Sequence, residues 1–394
     1  MSTIVHLVLL LLALPAIGTC LYLGVLTLLS ARLPRPLPST RDLSFDVLVP
    51  AHNEAAVIER TVASLMRLDW PADRFRVIVI ADNCNDATAE LARSAGAISI
   101  ERFDETQRGK GYALAYGITR SAQDGFADAV AVVDADTVVS PNLLAAYAAR
   151  IEQGAEAMQA NYGVLNPDDS WRTRIITIAY GAFHAVRSRA RERLRVSCGL
   201  RGNGMCFTRA LLQRHPFRVY SLAEDLEYGI VLGLDGVRVH YVDEANVDAE
   251  LVTSGQDSAS QRQRWEGGRF GILRAYTGRL LYQGLRQPSK VCLDLGFDLL
   301  TLPLGYVALE VGLVFVLSLL AAWALPGMTG WIWLSIGLMA ILTLYILRGW
   351  QLTPLGPRAL LDLARAPFFV VWKLGVLLRH RGNKVWIKTR RDKS

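Results

Sequence analysis

Charge is missing from two long stretches of this sequence. Residues 1–31 contain no Asp, Glu, Lys or Arg, and between Leu299 and Arg348 the only charged residue is Glu310. A soluble surface helix needs a polar face, so neither stretch reads as one. Ile4 to Leu29 exceeds the roughly 20 apolar residues that cross a bilayer. It lacks the basic start and the clean small-residue cleavage site of a secretory signal, so a retained span is expected. Cysteine is scarce as well. Cys20, Cys84, Cys198, Cys206 and Cys292 show no CxxC or other metal-ligand spacing, which excludes a disulfide framework or a zinc site and leaves reduced, structural thiols.

What is present explains the 52% hydrophobic content of the 394 residues. The apolar stretch after Leu299 supplies two crossings, broken near Pro326-Gly327-Met328-Thr329-Gly330, with Trp323, Trp331 and Trp333 at the break as interfacial aromatics. Glu310 is expected to reach toward headgroups. Leu360 to Leu378 carries Asp362, Arg365, Pro367 and Lys373 and precedes a basic tail, so it is expected to lie along or dip into the inner face. Arg32, Arg35 and Arg41 follow the first span and place the middle of the chain in the cytosol by the positive-inside rule. The formal net charge of +7 resides largely beside these apolar segments, so anionic lipid, rather than nucleic acid, is the expected partner. The sequence thus divides into an N-terminal span and basic linker (1–41), a central domain (42–280) and a C-terminal membrane region (281–394).

The central domain alternates short β-branched runs with helical patterns, predicting a layered α/β fold with a mostly parallel sheet. Strands are expected at Phe45–Val49, Arg76–Ile80, Ala97–Glu101, Ala129–Val133 and Ala157–Asn161, and helices near 54–68, 87–95, 110–123 and 141–152. Ligands of such sheets sit beyond the carboxyl ends of the strands. Three polar clusters follow strands there: Pro50-Ala51-His52-Asn53-Glu54, Asp82-Asn83-Cys84-Asn85-Asp86 and Asp134-Ala135-Asp136. Taken singly, Asn53 or Asp86 serves equally as a helix cap and Asp136 as a turn residue. Together they converge on one crevice. Alternation places Asp134 and Asp136 on one side of the backbone, where two carboxylates can share a hard divalent cation, Mg²⁺ or Mn²⁺, with diphosphate oxygens.

In order and spacing these elements resemble the family 2 glycosyltransferases of the GT-A fold, a Rossmann-like architecture, and in particular the membrane-bound branch that includes cellulose, chitin and hyaluronan synthases. The resemblance spans about residues 44–270 and rests on Val49-Pro50-Ala51-His52-Asn53-Glu54, Asp134-Ala135-Asp136, Glu224-Asp225 and Gln261-Arg262-Gln263-Arg264-Trp265, the last reading as the QxxRW motif. It implies that Asp82 and the loop of Pro50, His52, Asn53 and Glu54 contact the nucleoside. Lys110 would hold the base or diphosphate, Asp134 would support the nucleotide and, with Asp136, the metal, and Asp225 would be the general base. Ala223 stands where the family usually has Thr.

Elementary chemistry agrees with that assignment. An acceptor hydroxyl is a weak nucleophile, so a carboxylate that takes its proton assists direct, inverting attack; double displacement needs a second, close carboxylate, and none is singled out. Glu224 and Asp225 also suit the start of a helix over 224–234. Gln261, Arg264 and Trp265 fall on one helical face, Arg264 suited to phosphate and Trp265 to a sugar ring, unless the stretch is an amphipathic membrane anchor. Gly202 and Asn203, within Gly199-Leu200-Arg201-Gly202-Asn203-Gly204, suggest close backbone approach to sugar or an ordinary turn. The seven arginines between Arg172 and Arg195 would meet acceptor phosphate, membrane or solvent. The expected partners are a nucleotide-sugar donor, by resemblance a UDP-sugar, a polysaccharide or lipid acceptor, and the bilayer of the inner membrane. Three crossings are few to enclose a polymer channel, so polymer export would call for a partner protein or a homo-oligomer. A non-catalytic membrane scaffold would need the carboxylates to be idle.

Overall fold

The computed structural model describes residues 2–251 and 255–367, with the backbone alone for 255–266. The side chains of Gln261, Arg264 and Trp265, the basic tail and most of Leu360–Leu378 lie outside it. The chain divides into two compact units. One comprises Arg32–Pro167 and Arg191–Asp298; the other comprises the chain up to Ala31, Asp168–Ala190 and the chain from Leu299.

The first unit is built on strands β1 (Phe45–Ala51), β2 (Phe75–Asp82), β3 (Ile98–Arg102), β4 (Ala129–Val132), β5 (Thr137–Val139), β6 (Ala157–Val164), β7 (Met205–Thr208) and β8 (Val239–Ala249). They form one eight-stranded sheet in the order β3-β2-β1-β4-β7-β6-β8-β5. The β3-β2-β1-β4 half is parallel. Beyond it β7 runs antiparallel to both neighbours, β6 and β8 are parallel, and β5 returns antiparallel along β8. The five expected strands and four expected helices are all present. The three strands the sequence hides are β5, only Thr137–Val139, β7, and β8, whose Asp243, Glu244, Asn246 and Asp248 make it read as a loop.

Both faces of the parallel half are covered, which is why β1 and β2 read as continuous apolar runs. Phe45, Val47 and Val49 pack with Ile58, Val62, Leu65 and Leu143 on one side. Leu48, Ile78, Ile80 and Val132 pack with Leu114, Leu211, Tyr228 and Leu232 on the other. Pro50 lies past Leu48, the last β1 residue registered with β4, so its missing N–H interrupts no ladder on that side.

In the second unit Ser2–Leu28, Leu304–Ala324 and Thr329–Gln351 are each long and apolar enough to cross a membrane. They pack through Ala16, Cys20, Leu23, Val307, Val311, Leu338, Leu342 and Tyr345. Trp331 Nε1 donates to His6 Nδ1 at 2.8 Å near one end, and Arg348 Nε donates to Ser30 Oγ at 2.9 Å near the other. The helical segment beginning at Trp171 joins this unit through wider, π-type turns over Gly181–Val186. A Cβ at Gly181 would overlap the Gly349 carbonyl and one at Gly349 would meet Ala182, so the two glycines permit backbone-to-backbone approach.

The arginine-rich stretch is not one solvated face. Arg191 is 0% exposed and is held by Asp294 at 2.6 Å and Asp298 at 3.3 Å, while in the apolar unit Arg174 pairs with Asp362 at 2.6 Å and Arg187 donates to the Tyr345 hydroxyl. Side chains distant in sequence supply these partners, so the sequence pattern alone suggested a uniform basic helix.

Candidate active site

Two loops meet at the ends of β1 and β2. Asn53 and Asn83 both adopt left-handed backbone, with φ of 57° and 51°, a conformation Asn tolerates better than most residues. The Asn85 N–H donates to Asn53 Oδ1 at 2.8 Å, and the Glu54 N–H donates to Thr88 Oγ1 at 2.8 Å. Asp86 accepts from the Thr88 N–H at the start of helix Thr88–Ser94 and from the Ala55 N–H. Asp86 therefore serves the start of a helix, whereas Asn53 caps none and instead ties one strand-end loop to the other. His52 Nδ1 donates to the Asp82 carbonyl at 2.7 Å. A carbonyl only accepts, so the Nδ1 position carries a proton. Asp82 Oδ1 accepts from Arg102 Nη1 at 2.6 Å; both residues are under one-tenth exposed. The Arg102 guanidinium also lies 6.0 Å from the Tyr112 ring, which stacks on Tyr220 with centroids 4.2 Å apart.

The Asp134-Ala135-Asp136 turn lies between β4 and β5, where the chain leaves the parallel half of the sheet. Buried Asn203 clamps it from both sides, accepting from the Asp134 N–H at 3.0 Å and donating to Thr137 Oγ1 at 2.8 Å. Buried Gln159 supports that clamp by donating to the Asn203 carbonyl and accepting from the Arg201 N–H. Lys110, first residue of helix Lys110–Ser121, donates from Nζ to Asp134 Oδ1 at 2.5 Å and to the Gly202 carbonyl at 2.7 Å. That helix approaches so closely that a Cβ at Gly111 would stand 2.5 Å from the Val219 carbonyl oxygen. Gly202 has φ of 78°, and a Cβ there would lie 3.2 Å from Asp225 Oδ2 and 3.3 Å from Lys110 Nζ. One glycine thus separates the proposed base from the cation that holds Asp134.

Glu224 and Asp225 occupy the first turn of helix Glu224–Leu234. Burial raises both carboxyls above their ordinary range. Their mutual repulsion adds to the rise at Glu224, and Lys110 opposes it at both. Burial acts on Lys110 in the opposite sense, but Asp134, Glu224 and Asp225 outweigh it and hold the ammonium above the usual lysine range. The arrangement is one fixed cation among three carboxyls, two of them biased toward keeping a proton.

The structure therefore brings Lys110, Asp134, Gly202, Asn203, Glu224 and Asp225 together, with His52 and Asp82 joined at the neighbouring strand ends. Residues 261–265 belong to helix Gly255–Arg286, which touches the segment before Glu224: a Cβ at Gly268 would lie 3.0 Å from that of Ala223. Sequence reasoning missed Arg102, Gln159 and Tyr220. Arg102 ends a strand expected to stop at Glu101, and that one-residue difference hid a strand-end cation.

As a divalent-cation site the donor chemistry fits in one respect. Asp136 places a half-buried carboxylate in the β4–β5 turn, and Asp134 two residues before it is paired with Lys110. Among the described residues no set of three or more His, Cys, Asp or Glu side chains forms a ready cage. A diphosphate-bound Mg²⁺ or Mn²⁺ needs only one or two protein carboxylates.

Comparison with known proteins gives a consistent result. The sequence model described as "Glycosyltransferase like family 2" matches residues 43–268. Among curated relatives, glucomannan 4-beta-mannosyltransferase 7 of Arabidopsis thaliana is 24% identical over 246 residues, 60% of this chain and 44% of its own length. The probable glycosyltransferase YdaM of Bacillus subtilis (strain 168) is 25% identical over 244 residues, covering 58% and 56% respectively. The chain thus spans about half the length of the curated relatives it matches. Among solved structures, mannosyltransferase PcManGT from Pyrobaculum calidifontis, in complex with GDP-Man and Mn²⁺, shares the fold with a TM-score of 0.53 and 17% identity, over 89% of this chain and 99% of that one.

Proposed function

Because the chain belongs to glycosyltransferase-like family 2, we propose that it is a membrane-anchored GT-A enzyme that transfers a hexosyl group, with inversion, from a nucleotide-sugar to a growing polysaccharide. The observation that carries the reading is the convergence of Lys110, Asp134 and Asp225 on Gly202. Asp225 takes the proton of the acceptor hydroxyl as its oxygen bonds to the anomeric carbon and the bond to the diphosphate oxygen breaks. Its raised proton affinity suits a base. Lys110 and Asp134 orient the diphosphate, and Asp82 with the His52–Glu54 loop receives the nucleoside. Asp136 would hold a divalent cation whose charge stabilises the departing nucleoside diphosphate. Arg264 and Trp265 serve diphosphate and acceptor ring, as the QxxRW motif implies. The basic residues Arg32, Arg35 and Arg41 support a cytoplasmic catalytic domain at the inner membrane.

The names of the plant relatives support a polysaccharide acceptor. Single-sugar transfer to a membrane lipid is the second reading, favoured by there being three candidate spans among the described residues, few for a polymer channel. Purified full-length protein is incubated with membrane lipids and labelled UDP-sugars or GDP-mannose, and its products are sized. Chains of increasing length support polymer extension, whereas a lone monoglycosylated lipid overturns it. No turnover of any nucleotide-sugar overturns the enzymatic reading itself.

A further inference from the structure

The chain from Phe217 to Leu222 leads directly into Glu224 and Asp225, yet the mechanism above gives it no role. Its exposure alternates as in a strand. Phe217 and Val219 are buried and the Ser221 hydroxyl is shut off from solvent, whereas Arg218, Tyr220 and Leu222 face outward, Tyr220 at 47% and Leu222 at 50% exposure. The strip belongs to no sheet, and none of its backbone N–H or C=O groups hydrogen-bonds to another described residue.

Both ends of the strip are pinned beside the reacting groups. A Cβ at Gly111 would lie 2.5 Å from the Val219 carbonyl oxygen and 3.3 Å from the Tyr220 Cα, so Tyr220 stands against the residue that follows Lys110. Its ring stacks on Tyr112 of the same helix, 10° from parallel with centroids 4.2 Å apart. At the other end a Cβ at Gly268, on the helix that carries residues 261–265, would lie 3.3 Å from the Ala223 nitrogen and 3.4 Å from the Leu222 carbonyl carbon. Five residues separate Tyr220 from Asp225 and reach at most about 18 Å. A short oligosaccharide can therefore touch both.

Two independent features suit a sugar chain. The stack on Tyr112 holds one flat ring in place and leaves it nearly half exposed, so little side-chain freedom is lost when a sugar face settles on it. The unpaired backbone groups offer both donors and acceptors, and a hydroxyl uses either. The strip adjoins the base and the helix bearing Trp265, the two groups assigned to the acceptor, whereas Lys110 and Asp134 hold the donor's diphosphate. The acceptor is thus the occupant.

We propose that Tyr220 and Leu222 form an acceptor subsite, which holds a sugar set back from the reacting end of the chain. The proposal rests on the polysaccharide reading and adds to it the residues that favour long acceptors over short ones.

The test uses full-length protein in detergent: wild type, Tyr220→Ala, Tyr220→Phe and Leu222→Ala, each checked by thermal melting. The donor is whichever of UDP-glucose or GDP-mannose the wild type turns over. KM is measured for β-linked gluco- and manno-oligosaccharides from the monosaccharide to the hexasaccharide, and Kd for the nucleoside diphosphate alone. The wild-type KM should fall as the acceptor lengthens. Tyr220→Ala should raise the hexasaccharide KM about tenfold while the monosaccharide KM and the nucleoside diphosphate Kd stay within about twofold. Tyr220→Phe keeps the ring and should retain the length dependence. Leu222→Ala should move the hexasaccharide KM in the same direction by less, and it carries the test if Tyr220→Ala does not fold. An equal rise at every acceptor length, or no rise in either alanine variant, overturns the subsite, as does a wild type whose KM ignores acceptor length. A wild type that glycosylates only lipid overturns the polysaccharide reading and the subsite with it, and one that turns over no nucleotide-sugar overturns the enzymatic reading.

Discussion

Replacing Asp225 with Asn should slow the enzyme and strengthen the fold in the same molecule. The amide fits the space beside Gly202 that the carboxyl occupies, so the loss is chemical: Asn cannot accept the acceptor's proton. Removal of a positioned general base is worth about 10²–10⁴ in turnover. The stability change follows from burial, which raises the Asp225 carboxyl despite Lys110 nearby. Folding then favours the protonated form. The stabilisation this brings is complete below the unfolded value of about 3.9 and is lost as pH rises through the folded value. Once pH exceeds the folded value the native state carries a buried carboxylate at a net cost. Each 1 kcal/mol gained by removing that cost would raise Tm by about 2–4 °C for a domain of this size. The assay pairs initial rates of nucleoside diphosphate release with thermal melting at pH 8 and pH 4. The melting advantage of Asp225→Asn should be present at pH 8 and shrink at pH 4. Turnover within tenfold of wild type, or a lower Tm at pH 8, would refute the reasoning.

Three further substitutions probe the neighbouring groups. Asp136→Ala should cut turnover about 10²–10³-fold through lost charge stabilisation without lowering Tm, and excess EDTA should stop the wild type until Mg²⁺ or Mn²⁺ is restored; full activity in EDTA counts against metal dependence. Arg102→Ala strands the buried Asp82 carboxylate and should lower stability by about 3–5 kcal/mol, with partial recovery in Arg102→Ala/Asp82→Asn. Equal urea midpoints for wild type and Arg102→Ala would mean that the ion pair carries no such load. Gly202→Ala should lower kcat in a folded protein, since a methyl at positive φ costs about 1–3 kcal/mol and presses on Asp225 and Lys110; an unchanged kcat would separate that loop from the chemistry.

The parallel half of the sheet was legible because both of its faces are buried, which makes β1, β2 and β4 apolar runs. The rest was not. β8 mixes five polar residues among its core positions, and β5 is too short to show a period, so the antiparallel return of β5 along β8 left no sequence trace. Asp134, Lys110 and Asp225 were visible as strand-end or helix-start polar residues. Their common meeting point at Gly202 depends on Gln159 and Asn203 holding a loop from another strand. Such pairing between distant segments carries no local period.

The apolar unit is assembled from three separate stretches of chain, and this bears on how the protein is made and cut. Residues 168–190 leave the ribosome well before Thr329–Gln351, whose Gly349 their own Gly181 must meet, so this part of the fold must wait for late synthesis. Trimming the protein at both ends to obtain a water-soluble enzyme would remove the partners of Ala182, Val186 and Arg187 while keeping those residues. A fragment of that kind should aggregate or need its middle segment redesigned, and ribosome-bound chains stopped before residue 329 should remain sensitive to protease between β6 and β7.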